Sequence, residues 1–151
     1  MLDRREALIA RILAVLQTVD GIVVATRNIR HTNLEVMPAA IVFDADEHLA
    51  ESPDSGLWVP PRTPQMMTMR PEIYVMVAGK PSEVGALLNG LRASIFSAMV
   101  QDADIQSLVG TNGRIILDLV QTALAPGRQM SGEMKIVFAI TYPVILKDLT
   151  L

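Results

Sequence analysis

The segment "IVFDADEHLAESPDSGLWVPP", residues 41 to 61, gathers the side chains best suited to chemistry. Asp44, Asp46, Glu47 and His48 fall within five positions at the end of an apolar run. On an extended backbone alternate side chains share a side, so Asp44, Asp46 and His48 would converge. Carboxylates with one imidazole suit manganese or magnesium better than zinc. The same residues have a simpler use. Acids mark the point where a buried strand reaches water, and charge there opposes unwanted edge pairing. No second acidic cluster completes a coordination shell, so no metal ligand is assigned. Asp44 to His48 is read as a solvated strand exit.

Other chemistry finds little support. No GxSxG, GxGxxG, Walker A, HExxH or EF-hand pattern occurs. The two histidines, His31 and His48, both fall in predicted connections. Cysteine is absent, which removes disulfides, thiolate metal sites and cysteine nucleophiles together. No catalytic residue and no cofactor are assigned. Trp58, the single tryptophan, sits between Leu57 and Val59 in "GLWVPP". It either packs on its own subunit or anchors on a neighbouring chain. Nearby, Met66, Met67 and Met69 offer adaptable apolar surface. A proline-stiffened loop also loses less entropy on docking.

The elements that must position these residues follow from periodicity. Residues 3 to 19 predict a helix, with Asp3 and Glu6 at capping-box spacing. Leu8, Ile9, Ile12, Leu13, Leu16 and Val19 make its apolar face, and Gly21 is its expected left-handed cap. Residues 22 to 28, 39 to 45 and 66 to 79 predict three strands. Pro71 has no N–H, which puts the third strand at an edge or gives it a bulge there. Residues 46 to 65 hold four of the nine prolines and read as one long loop.

Residues 80 to 102 predict a second helix, started by Pro81 or Ser82, with Val84, Leu87, Leu88, Leu91, Ile95 and Met99 inward. Gly85 and Gly90 each weaken it by about 1 kcal/mol relative to alanine and would allow close approach to a sheet. A short extra turn spans 102 to 110, capped by Asp102 or Asp104 and ended by Gly110. Strands at 113 to 124 and 132 to 146 close the chain as a hairpin. Met134, Ile136, Phe138, Ile140 and Tyr142 share one face of the last strand, and Glu133, Lys135, Val137, Ala139 and Thr141 the other. The expected class is α+β: two main helices on one face of a mostly antiparallel five-stranded sheet, in the order α-β-β-β-α-β-β.

A chain of 151 residues suits one domain spanning 1–151, with a core large enough to need no staples. Half the residues are hydrophobic but only 4% are aromatic, so the core is aliphatic and methionine-rich. The formal charge of −3 and the scattered arginines lack the basic footprint of a nucleic-acid binder. The N-terminal "MLDRREALIARILAVL" is no signal peptide. No apolar run approaches the roughly 20 residues that span a bilayer.

The element order is familiar. "MPAAIVFDADEH" (37 to 48), "MRPEIYVMVAG", "LLNGLRASIFSAM", "DADIQSLVG" and the closing "MKIVFAITYPVIL" follow an N-terminal helix. This order resembles the tail terminator (tail completion) proteins of long-tailed bacteriophages and related gene-transfer particles. The resemblance covers nearly the whole chain, and residues 37 to 48 are its most specific piece. It implies a non-enzymatic structural protein of the virion tail, assembled in the host bacterial cytoplasm. It implies a hexameric ring at the head-proximal end of the tail tube. That ring stops tube polymerisation and presents the head-joining surface. The implied partners are further copies of the chain, the tail tube protein and the head completion or connector protein. DNA would pass through the pore without specific binding, and no membrane is involved. On this reading Asp44, Asp46, Glu47, His48, Leu57, Trp58, Val59, Met66, Met67 and Met69 are candidate subunit or tube contacts. The competing expectations are a different neck or tube component, a small α+β regulatory domain holding a metabolite between sheet and loop, and an enzyme built on Asp44, Asp46 and His48.

Overall fold

The computed structural model describes residues 3–30, 37–50, 63–125 and 130–145. Leu57, Trp58, Val59 and His31 lie outside these residues, as does much of the expected loop 46–65. The described chain is α+β, with three helices and a mixed sheet of seven strands.

Helix α1 spans Arg4–Thr18. The Asp3 carboxylate accepts from the Glu6 N–H at 3.2 Å, satisfying one of the orphan donors of the first turn. The helix ends at Val19, and Gly21 takes a left-handed φ of 89° in the turn that follows. Helix α2 spans Pro81–Gln101, with proline at its first position where a missing N–H costs nothing. The expected extra turn is a seven-residue helix, α3 (Ala103–Val109). Asp102 caps it, accepting from the Ile105 N–H at 2.8 Å, and Gly110 ends it. Asp102 also takes two bonds from Arg11 of α1, at 3.0 and 2.6 Å, so one carboxylate joins the two helices.

The strands are β1 (Val24–Arg27), β2 (Ala39–Phe43), β3 (Glu47–Leu49), β4 (Pro64–Met69), β5 (Glu72–Gly79), β6 (Arg114–Ala125) and β7 (Met130–Ile145). The five expected strands are matched, with the third divided into β4 and β5, and β3 is an additional strand in the stretch 46–65 expected to be loop. β7 pairs with β6 along one edge and with both β4 and β5 along the other. Met69 opposes Ile140 and Glu72 opposes Val137. Both strands advance three residues across the gap, so β4 and β5 are one strand in one register. Arg70 and Pro71 interrupt it because proline cannot donate to the ladder. β5 lies between β2 and β7, so Pro71 stands at a break inside the sheet and not at an edge.

The segment Asp44–Asp46 breaks the neighbouring strand. Phe43 opposes Glu72 and Glu47 opposes Met69. Four steps on this side meet three on the other, which defines a bulge with one extra residue. The chain therefore does not leave the sheet at Asp44, as a strand exit would. It resumes as β3, inside the stretch expected to be loop. β6 carries a second bulge: Leu117 opposes Phe138 and Leu119 opposes Val137, leaving Asp118 extra. One junction, β1 with β2, is parallel, which makes the sheet mixed.

Among the described residues all three helices pack on one face of the sheet. Ile12 and Leu16 of α1, Leu88 and Ile95 of α2, and Ile105 of α3 meet Val75, Ile136, Phe138 and Tyr142. Burial of these side chains, worth about 1.5–3 kcal/mol each, drives the layer together. Leu87, expected in the core, sits on the flank of α2 and is exposed. A smaller apolar cluster of Ala39, Ile41 and Met76 lies on the opposite face, with Tyr74 and Phe43 against it.

The glycine that permits close helix packing is on the sheet, not on α2. A methyl group at Gly132 would stand 2.6 Å from Val84 and 3.0 Å from Leu88, whereas one at Gly85 or Gly90 meets nothing within 4 Å. Gly132→Ala is expected to lower stability by about 1–3 kcal/mol through overpacking. Gly90→Ala is expected to raise it by about 0.5–1 kcal/mol. Urea unfolding of the two variants checks both signs; a neutral Gly132→Ala would mean that α2 is not seated against β7 as described.

Candidate functional site

The bulge determines what the acidic cluster becomes. Regular alternation would put Asp44, Asp46 and His48 on one side. The extra residue reverses the alternation beyond it. Glu47 and Leu49 continue the helix-side face opposite Met69 and Met67, and His48 points to the other face opposite Thr68. Among the described residues no three acidic or histidine groups converge on a cation position.

Asp44 and Glu47 have protein partners on the helix side. Arg27, at the end of β1, lies between two carboxylates. It donates to Asp44 at 2.8 and 2.6 Å and to Glu6 of α1 at 2.6 and 2.9 Å. Both contacts are bidentate, the geometry in which guanidinium binds carboxylate best. Asn28 holds the other side of Asp44: its amide oxygen accepts from the Asp44 N–H at 3.1 Å. Asn28 does so at a φ of 57°, a conformation asparagine tolerates better than most residues. Arg5 donates to the Ala45 carbonyl within the bulge. Glu47 accepts from the hydroxyl of Tyr142, which is otherwise enclosed in the core. Burial first, and the neighbouring Glu47 second, push the Tyr142 phenol well above its ordinary range. The hydroxyl is therefore a fixed donor at neutral pH.

The face without helices is organised differently. Tyr74 of β5 is its centre. Its hydroxyl donates to Glu72 at 3.0 Å, and its ring meets the edge of Phe43 with centroids 5.4 Å apart. Arg30 lies over the ring at 5.3 Å and Lys135 at 5.8 Å, within cation–π range. Each cation has an anion of its own: Arg30 meets Glu133 at 2.8 Å, and Lys135 meets Glu72 at 2.7 Å. Further along, Arg70 from the β4–β5 break pairs with Asp118 from the β6 bulge. Ala139 stands between them on β7, opposite Ile116. Thr68 and Thr141 complete the row through their hydroxyls, 2.9 Å apart.

Both bulges and the proline break therefore fall on one line across the sheet. Asp44–Asp46, Arg70–Pro71, Ala139 and Asp118 follow one another from strand to strand. Bulges bend strands and add twist, so the sheet is creased there, and charged side chains gather along the crease.

Of the contact residues that the sequence nominates, Asp44, Asp46, Glu47 and His48 lie at the crease. Met66 and Met67 are half-buried on β4 beside it. Met69 is only 1% exposed and belongs to the core, so its side chain offers no surface. Leu57, Trp58 and Val59 are outside the described residues. Arg27, Tyr74 and Arg30 carry no motif or spacing that nominates them, and the spacing of Glu6 from Asp3 marks only a helix start. The alternation of Glu133 and Lys135 against an apolar face is the one sequence signal for the charged surface.

The carboxylates of Glu6 and Asp44 are both held below their ordinary values of 4.5 and 3.8, chiefly by hydrogen bonds from Arg27, with burial opposing. A lowered carboxylate stabilises the fold above its unfolded value, and that contribution is lost as pH falls through the folded one. Arg27→Met is expected to weaken the protein at neutral pH and to flatten its loss of stability between about pH 5 and pH 3. Urea midpoints across that range test this; an acid limb identical to that of the parent protein would remove Arg27 from the role.

No protein-family model and no curated protein matches the chain. Among solved structures, a chain from the virion of a native gene transfer agent particle aligns with it at a TM-score of 0.43 and 14% identity, over 89% of this chain and 85% of that one.

Proposed function

We propose that this chain is a structural component of a phage or gene-transfer-particle tail, acting as a ring-forming tail terminator. The observation that carries the reading is the helix-free sheet face. Among the described residues three of its cations are matched by an anion, Arg30 by Glu133, Lys135 by Glu72 and Arg70 by Asp118, and Arg114, at the start of β6 opposite Thr141, is the exception. An unpaired basic surface would bind phosphates and release counterions. A surface whose central cations are already compensated suits the wall of a pore through which DNA slides. The helices then form the outer wall. The element order from the N-terminal helix to the closing hairpin, with its likeness to tail terminators, supports the same reading. Asp44, Asp46, Glu47 and His48, with Met66 and Met67 beside them, are the proposed contacts to the tube.

Nothing in this function requires turnover. The protein would act by presenting a shape that tube subunits cannot extend. The experiment is to add the purified chain to tail tubes polymerised without a terminator, then supply more tube protein and image by electron microscopy. Capped ends and arrested length are expected. Tubes that elongate at the same rate with and without the chain would overturn the proposal.

A further inference from the structure

Independently of the tail reading, we infer that two free copies of the chain pair through the outer edge of β6, antiparallel and about a two-fold axis at Thr122. Among the described residues β6 forms a ladder with β7 alone, so its other edge presents unpaired N–H and C=O groups. An exposed edge is normally guarded by charge, proline or brevity. From Leu119 to Ala125 β6 has none of these: seven residues carry no charge, proline or glycine. The same residues run opposite Val137 to Ser131 without a bulge, so the edge is regular over that length.

The border of this edge is apolar. Leu117 stands opposite Phe138 and Leu124 opposite Gly132, which puts both on the helix side of the sheet. α2 lies over β5 and β7, and Leu117 and Leu124 stay 37% and 50% exposed. Phe96 of α2 stacks on Phe138 with centroids 6.2 Å apart and is itself 39% exposed. The edge therefore offers main-chain bonds and an apolar rim together, and a second copy supplies both complements.

Geometry fixes the arrangement. Two identical edges pair antiparallel only about an axis perpendicular to the sheet, which leaves the helices of both copies on one side. Residues directly opposite share a face, so the axis passes through a residue. Thr122 is the centre of the uncharged segment. An axis there sets Leu119 against Ala125, Val120 against Leu124 and Gln121 against Ala123. Val120 and Leu124 both face the helix side, so each covers the other. An axis at Asp118 would oppose like charges, which is unfavourable. One at Ile116 would set Arg114 against Asp118, but across the bulge and with Asp118 already held by Arg70. A two-fold contact closes on itself, so it covers the edge without building a filament. In a ring whose sheets face the channel this axis would be radial and would make the two ends of the ring alike. The pair therefore belongs to the chain before it meets a tube.

The chain has no cysteine, so an introduced thiol is the only one present. Thr122→Cys is expected to form covalent dimers on oxidation, and Ile116→Cys, on the same strand, to stay monomeric. Thr122→Lys and Thr122→Glu each set like charges face to face on the axis. Each alone is expected to sediment as a monomer at concentrations where the parent is dimeric, with the circular dichroism of the parent. Mixed in equal amounts, the two should pair again. A parent that is monomeric at every concentration, or thiol dimers from Ile116→Cys and not from Thr122→Cys, would overturn the inference. So would dimers that persist in both charge variants. The oxidised Thr122→Cys dimer should fail to cap tail tubes and should cap them after reduction. Capping by neither form would count against the tail reading and leave the pair; equal capping by both would refute the separation on the tube.

Discussion

The pairing of β7 along both its edges places everything else. Its sixteen residues oppose β6 on one side and the broken strand β4–β5 on the other. The second of these ladders keeps one register across the gap at Arg70 and Pro71. Register is strongly specified because one face is buried: a slip of one residue would turn Ile136, Phe138, Ile140 and Tyr142 out of the core. Burial of that face holds the ladder in place, and the ladder fixes where its irregularities fall.

Those irregularities are where the polar groups gather. A bulge leaves a residue without a ladder partner, and both bulges here supply an acid that meets an arginine. Asp44 meets Arg27, and Asp118 meets Arg70. Ion pairs this exposed contribute little to stability individually, with a typical worth of about 0–1 kcal/mol. Their effect is positional. Arg27 ties the end of β1 to the first turn of α1 and to the crease at once. Arg70 and Asp118 join two strands that β7 separates. Among the described residues the cations at the centre of this face, Arg30, Lys135 and Arg70, are each paired with an anion, and Arg114 at the start of β6 is not.

Much of the fold was legible from period alone. The apolar stripe of α1, the inward residues of α2 and the alternation of β7 all follow from spacing, and apart from Leu87 they stand in the structure. Asp102 and Gly110 marked α3 because capping chemistry is local. The failures have a common cause. Whether a strand ends or bulges depends on counting residues against a partner, and no single strand carries that count. Asp44–His48 accordingly read as an exit. Pro71 signalled a disturbance in the ladder, but its place inside the sheet depended on β2 lying beyond it. Gly85 and Gly90 drew attention as helix glycines, while the close approach lies at Gly132, a position defined only by what α2 places over it. Arg27 was invisible as a site residue because its two partners come from another helix and another strand.

The proposed ring depends on the orientation of one sheet face. A cryo-electron microscopy map of a capped tube end tests it most directly. Copies should form a closed ring with α1 and α2 on the outer wall and the Tyr74, Glu72 and Lys135 surface turned to the channel. A map with the helices lining the channel, or with an isolated copy bound to the outside of the tube, would contradict it.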